Sequence, residues 1–278
     1  GTILRWSASI LPVMFQRGED IEKSLVETHP EPTRAALLQP DATVLNLAAR
    51  AMSISTGLPS LSNLIMLHNE FLAPGGYPAD YITEEMILDG KASLSEFSTL
   101  IVANGYWMDP AFSIQLKKWV EDGGRLITIG PFAMDSPWGS PLVTDQSAFL
   151  TAFAPVERSG NDLWSVKFPR IASDSGAIKT RPLGKGTIKY LGKSIDAFVS
   201  NGDRRQQLND LLAESIPRLA VANSESIKLT TRVADDGTVF VFPVNTSLTN
   251  TVSATLRVRG HFASAQDCVI PNGFPLAL

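Results

Sequence analysis

The stretch LSEFSTLIVANGYWMDPAFSIQLKKWVEDGGRLITIGPF, residues 94–132, decides how this chain is predicted to fold. Within it, TLIVAN (residues 99–104) and RLITIG (residues 125–130) are apolar runs that are too short for helices. Runs of this length and composition are typical of strands that are covered on both faces. Two such strands with a helix between them predict a parallel βαβ unit, because the chain must cross over before it pairs in the same direction.

The helix between these two strands is marked at both of its ends. Asp109 is a good N-cap residue, Pro110 suits the first helical position, and Gly123-Gly124 ends the helix. One helical face is apolar and is therefore predicted to pack on the sheet. This face comprises Phe112, Leu116, Trp119 and Val120.

The segments that follow the two strands, residues 104–107 and 131–132, are predicted to be loops at one edge of the sheet, where open α/β sheets bind their ligands. Aromatic rings follow both strands, and sugars stack on flat aromatic faces. The candidate carbohydrate-binding residues are therefore Tyr106, Trp107, Asp109, Phe132, Asp135 and Trp138. In the alternative interpretation, Tyr106 and Trp107 pack under a loop or against a neighbouring subunit.

Composition bounds the class of protein. The chain has 278 residues, which is comfortable for two domains, and 44% of them are hydrophobic, which is enough for a proper core. The net charge of -4, without a dense Lys/Arg run, argues against nucleic acid or an anionic membrane surface as the main partner. Small neutral ligands and other proteins remain as candidate partners. A single cysteine excludes an internal disulfide and leaves the cellular compartment open.

The rest of the chain divides into an α/β part and a β part. Helices are predicted from about Asp41, over residues 61–72 and over residues 204–216. From about Ile227 the chain reads as strands only. The predicted fold is a doubly wound parallel α/β sheet in residues 1–217, followed by a small antiparallel β domain in residues 218–278.

No catalytic constellation is found in the sequence. Cys268 lies in a β-type context near the C-terminus, there is no Gly-x-Ser-x-Gly elbow, and the three histidines are isolated from one another. Glu84-Glu85 are adjacent, and helical neighbours diverge by about 100°, so they cannot both face one glycosidic bond. We interpret them as first-turn acids favoured by the helix dipole. The sequence therefore predicts no catalytic residue, no metal site and no cofactor.

The order of these elements resembles that of a known family. The segments that carry the resemblance are YPADYITEEMI, LSEFSTLIVANGYWMD, LKKWVEDGGRLITIGP, LGKGTIKYLG and DDGTVFVFPVN. Over roughly residues 60–260 the chain resembles the flavodoxin-like, class I glutamine amidotransferase-like module that follows the catalytic barrel in beta-galactosidases. This module is often called the beta-galactosidase trimerisation domain, and a C-terminal β domain follows it. Residues 1–60 match this arrangement poorly.

The resemblance implies an accessory role. In such glycoside hydrolases the catalytic carboxylates reside on the barrel, which would lie upstream of Gly1. The implied partners are that barrel, as a domain or a chain, and further copies of this protein in a homo-oligomer. The first residues, GTILRW, lack an initiating Met, and the chain closes on the apolar GFPLAL, so we expect a piece of a longer polypeptide.

Two other functional hypotheses come from different classes. The first is a free-standing carbohydrate-binding module that uses Tyr106, Trp107 and Trp138. The second is an enzyme with an unrecognised site around Asp135, at the point where the strand order of the sheet reverses.

Overall fold

The computed structural model describes residues 26–51, 59–136, 156–157, 170–171, 178–224, 226–246 and 254–261. Contacts between residues divide the chain into two compact units. One unit is Thr33–Pro217, and the other joins the segment that ends at Pro32 to the segment that begins at Arg218. We describe each unit by itself.

A six-stranded sheet forms the centre of Thr33–Pro217. Its strands are β2 (Ala35–Gln39), β3 (Asp80–Thr83), β4 (Thr99–Trp107), β5 (Arg125–Asp135), β8 (Lys179–Leu183) and β9 (Gly186–Leu191). They lie in the order β3-β2-β4-β5-β9-β8. Every neighbouring pair is parallel except β8 and β9, which are antiparallel. The expected α/β fold with a largely parallel sheet is therefore confirmed.

Helices connect the strands of this sheet. They are α1 (Asp41–Ala51), α2 (Pro59–Leu67), α3 (Ala73–Gly75), α4 (Glu84–Leu88), α5 (Pro110–Glu121), α6 (Ile195–Val199) and α7 (Gly202–Ser215). A π-helical turn, His68–Leu72, joins α2 to α3, and a 3₁₀ turn, Leu94–Glu96, precedes β4. Among the described residues, no helix is both long and apolar enough to cross a bilayer.

The predicted βαβ unit is present with the predicted caps. The side chain of Asp109 accepts hydrogen bonds from the backbone N–H groups of Ala111 and Phe112, which would otherwise have no partner in the first turn of α5. The chain leaves α5 at Gly123, whose φ of 128° suits glycine. The predicted inner residue Trp119 is buried, and its indole N–H donates to the carbonyl of Phe97.

Both faces of the sheet are covered by apolar side chains. Along β4, Leu100 and Val102 point into one core and Ile101 and Ala103 into the other, as the alternation of a strand requires. The first core is completed by residues of α4 and α5, and the second by residues of α2, α6 and α7. All nine residues of β4 are buried.

The central strand β2 was missed by the sequence analysis, which assigned no element to residues 33–40. Its residues, AALLQ, pair in parallel with β3 on one side and with β4 on the other. Alanine and leucine are strong helix formers and weak indicators of a strand. Burial between two neighbouring strands makes this segment extended, and that is a tertiary effect.

Residues 104–107 and 131–132, which were predicted to be loops, belong to β4 and β5 instead. Asn104 and Gly130 adopt left-handed backbone conformations, with φ of 56° and 77°. They lie where the pairing of the two strands shifts register, and pairing then resumes between Gly105 and Phe132. Such bulges bend a strand without ending it. The prediction was wrong because a β-bulge and a loop both place residues of this kind after an apolar run.

The second unit is built from short antiparallel strands. They are β1 (Thr28–Pro30), β10 (Ala220–Ala222), β11 (Ile227–Ala234), β12 (Val239–Asn245) and β13 (Leu256–Val258). The order β1-β11-β12 forms one sheet, and β10 pairs with β13. The antiparallel strands that follow the α/β part agree with the sequence, whereas β1 comes from before that part and was not predicted. Within Thr33–Pro217, two further short strands, β6 (Val156–Glu157) and β7 (Arg170–Ile171), form a separate antiparallel pair.

The turn between β8 and β9 shows why glycine occurs twice in Gly184-Lys185-Gly186. Its backbone lies directly against the end of α5, and the N–H of Lys185 donates to the carbonyl of Glu121 at 2.8 Å. A Cβ atom on Gly186 would lie 2.1 Å from the carbonyl oxygen of Val120. The segment thus forms the tight turn that leads into β9.

We expect Gly186→Ala to destabilise the protein by roughly 2–3 kcal/mol, because the new methyl group meets backbone atoms that cannot move aside. Gly202→Ala is the matched control, since a Cβ atom there meets nothing within 4 Å at the start of α7. We expect the control to be neutral or stabilising by up to about 1 kcal/mol. Urea unfolding monitored by circular dichroism measures the stability of both variants. Equal unfolding midpoints of the two variants would contradict the close approach of Gly186 to the backbone of α5.

Candidate functional site

The candidate site lies at the carboxyl edge of the sheet, between β2 and β4. The chain leaves β2 toward β3 on one side and leaves β4 toward β5 on the other, so the direction of the crossovers reverses here. Ligand crevices of α/β sheets form at such points. Asp41 follows β2 at the start of α1, and Asp109 follows β4 at the start of α5.

The position between β2 and β4 at which the crossovers reverse is called the reversal point below. The chain itself fills it. The hydroxyl of Thr43 donates to the carbonyl of Trp107 at 2.7 Å and accepts from the N–H of Trp107 at 2.9 Å. Thr43 is completely buried. This pair of hydrogen bonds fastens the first turn of α1 to the end of β4, where a ligand crevice would otherwise open.

Glu84 is the chemically unusual residue of this edge. It begins α4 directly after β3, and its side chain is only 2% exposed. One carboxyl oxygen, Oε2, accepts from the N–H of Asp109 at 2.9 Å, whereas Oε1 is buried without a well-formed hydrogen bond. A carboxyl group in this setting strongly disfavours its charged form.

Burial raises the pKa of Glu84 to about 7. The backbone N–H of Asp109 opposes this shift because its hydrogen bond favours the carboxylate, and the backbone of Ala42 acts in the same direction. The negative charges of Asp41 and Asp109 raise the pKa further. Glu84 therefore titrates close to neutral pH, while it is shielded from solvent.

The same carboxylates link three helix starts. Asp41 accepts through Oδ2 from the backbone N–H of Glu85 in α4 at 3.1 Å. Glu84 in turn accepts from Asp109, and Asp109 caps its own helix, α5. Each carboxylate thus satisfies backbone donors that helix formation leaves unpaired.

Three of the four predicted aromatic residues are packed inside the protein. Tyr106 and Trp107 are 8% and 3% exposed, and their rings meet edge to face with centroids 4.4 Å apart. Phe132 is 1% exposed. Consecutive residues point to opposite faces in a regular strand, but the register shift after Gly105 lets both rings join one core. None of the three offers a ring face to a sugar in this arrangement.

The other predicted residues are distributed as follows. Asp109 is half-buried and engaged in capping α5. Asp135 is the last residue of β5 and is paired with Trp107 through the strand backbone. Trp138 lies outside the described residues, as does Cys268. One edge of the sheet thus holds five of the six predicted residues, and Glu84 joins them there. The five are Tyr106, Trp107, Asp109, Phe132 and Asp135.

The signal for Glu84 was present in the sequence but was not used. Glu84 and Glu85 both lie in the first turn of α4, as predicted, but Glu85 is exposed. Glu84 lies three residues before Ile87, which is buried, and residues three apart share a helical face. That spacing distinguishes the inward-facing acid from its neighbour.

His68 is a half-buried residue with a hydrogen-bond partner. Its Nδ1 lies 2.5 Å from the hydroxyl of Tyr81, on the edge strand β3. Within the described part of the chain, no group of three His, Cys, Asp or Glu side chains could hold a metal ion.

A groove of about 700 Å³ lies at the opposite, amino edge of the sheet. Its lining includes Arg34, Gln115, Lys118 and Trp119. The indole of Trp119 is held by the carbonyl of Phe97, so the fold accounts for its position. Ligands of α/β sheets bind at the other edge.

No protein-family model matches the sequence, and no curated protein is significantly similar to it. Solved structures with a similar fold are GH42 beta-galactosidases. A catalytic mutant of Gan42B, from G. stearothermophilus, has a TM-score of 0.59 at 15% identity, over 88% of this chain and 38% of that chain. The beta-galactosidase from Bacillus circulans sp. alkalophilus has a TM-score of 0.58 at 14% identity, over 83% of this chain and 38% of that chain.

A third beta-galactosidase has a lower TM-score. The cold-adapted beta-galactosidase from Rahnella sp. R3 has a TM-score of 0.52 at 15% identity, over 78% of this chain and 36% of that chain. At these identities the likeness is one of fold. The chain spans less than two fifths of the length of each of these enzymes.

We expect Thr43→Val to destabilise the protein by about 1–3 kcal/mol, because the isosteric side chain cannot make the two hydrogen bonds to Trp107. Thr43→Ser is the control, since it keeps the hydroxyl and loses only a methyl group, at about 1 kcal/mol. Thermal or urea unfolding of the three proteins gives the comparison. A valine variant as stable as the parent would contradict the fastening role of Thr43.

Proposed function

We propose that this chain is an accessory, non-catalytic region of a beta-galactosidase-like glycoside hydrolase, which serves oligomerisation and shapes a carbohydrate site. The observation that carries the proposal is the fold likeness to GH42 beta-galactosidases over 88% of this chain but only 38% of theirs. A region of that extent leaves room for a catalytic barrel elsewhere in such an enzyme. The reversal point filled by Thr43 and Trp107 also supports it.

We further propose that Thr33–Pro217 is a flavodoxin-like, glutamine amidotransferase-like module of the beta-galactosidase trimerisation type. In chain order, the parallel strands of the sheet are arranged second, first, third, fourth and fifth. This is the flavodoxin-like order of doubly wound sheets. The partners of the module would be the catalytic barrel of the parent enzyme and further copies of the chain.

We expect the chain alone to release no nitrophenol from nitrophenyl β-galactosides above the rate of buffer, because the catalytic carboxylates would belong to the barrel. We expect light scattering to give a mass above the 30.1 kDa of a single chain. A monomeric mass at high concentration would contradict the assembly role. An enzyme-like rate would contradict the non-catalytic role if a carboxylate substitution abolished it.

One observation favours a second candidate, an enzyme at the reversal point. A carboxyl group with a pKa of about 7 has the property of a general acid, and Glu84 has that property. Its burial separates it from any substrate in this arrangement. The nitrophenyl β-galactoside assay on the unmodified chain and on Glu84→Gln therefore decides between the accessory region and the enzyme. Only an enzyme would hydrolyse the substrate, and only then would the substitution abolish the hydrolysis.

We expect oligosaccharides to cause no saturable change in the fluorescence of Trp107 and Trp119, because these two tryptophans of the described part of the chain are buried. A saturable change would favour the free-standing carbohydrate-binding module. Trp107→Phe would then show whether Trp107 reports the binding, and a change that persists in this variant would assign it to another tryptophan.

A further inference from the structure

We propose that Glu84 is a pH-sensitive switch at the carboxyl edge, which orders the starts of α1, α4 and α5 while it carries a proton and loosens them when it loses that proton. The geometry supplies the coupling. Glu84 accepts through Oε2 from the N–H of Asp109, ahead of α5, and the backbone of Ala42 and the charge of Asp41, both in α1, act on its carboxyl. The backbone N–H of Glu85, in the same turn of α4, donates to Asp41. A change at this one side chain therefore reaches three elements.

The surroundings of Glu84 make its charged form costly. The charged groups that act on it are Asp41, from α1, and Asp109, from the N-cap of α5, and both are acidic. Glu85, on its own helix, is acidic and exposed. The buried Oε1 has no well-formed hydrogen bond to stabilise a negative charge. Ionisation consequently favours any arrangement that admits water to this oxygen.

The direction of the effect follows from proton linkage. The pKa of Glu84 is raised from 4.5 to about 7 in the folded protein, so the closed edge binds a proton that the opened edge releases. The stabilisation of the closed edge by the proton on Glu84 is fully present below about pH 4.5. It is lost progressively as the pH rises to about 7, and the opening equilibrium constant rises by up to about two orders of magnitude over that interval.

Amide hydrogen exchange at Asp109 and Glu85, corrected for the intrinsic pH dependence of exchange, measures this opening. In the unmodified chain we expect the opening constant of both amides to rise between pH 5 and 8. Glu84→Gln keeps an oxygen for the N–H of Asp109 but cannot ionise, so its opening constant should not change with pH. Glu85→Gln is the matched control, one position along the same helix, and should follow the unmodified chain.

A pH dependence that persists in Glu84→Gln, or that disappears in Glu85→Gln, would overturn the proposal. Should Glu84→Gln fail to fold, the carbon-13 chemical shift of the Glu84 carboxyl in the unmodified chain still tests it. A titration midpoint near 7 supports the switch, and one near 4.5 overturns it. These outcomes do not depend on whether the chain is an accessory region or an enzyme.

Discussion

The α/β unit depends on the pairing of β4 with β5. All of β4 and residues 126–130 of β5 are buried. Alternate residues of β4 enter the two cores of the sheet, so the helices of both faces pack on the same backbone. The pairing continues past the bulges at Asn104 and Gly130 as far as Trp107 and Asp135. It therefore also sets the shape of the carboxyl edge, and it draws Tyr106 and Trp107 into the core.

The carboxyl edge combines two requirements that oppose each other. Three helices begin there, and their free N–H groups favour acceptors, which Asp41, Glu84 and Asp109 supply. The same residues bring negative charges close together, and burial makes the charge on Glu84 the most costly of the three. Protonation of Glu84, whose pKa burial raises to about 7, removes the most costly of these charges.

Elements with local signals were predicted well. The helix α5 is flanked by a capping aspartate, a proline and paired glycines, and its apolar residues recur at helical spacing, so its bounds need no knowledge of the rest of the chain. Strand β2 was missed because its Ala-Ala-Leu-Leu favours a helix when taken alone. The bulged ends of β4 and β5 were interpreted as loops, since the residues that permit a left-handed backbone also occur in turns.

By itself, the sequence determined the α/β character of the chain, the crossover between residues 99 and 130, and the change to antiparallel strands near Ile227. These features follow from periodicity and capping, which act over a few residues. Only the tertiary structure decided that β2 is a strand, that Tyr106 and Trp107 are buried, and that Glu84 is shielded and titrates near neutral pH. Burial is a property of all the segments that surround a residue, and those segments come from distant parts of the chain.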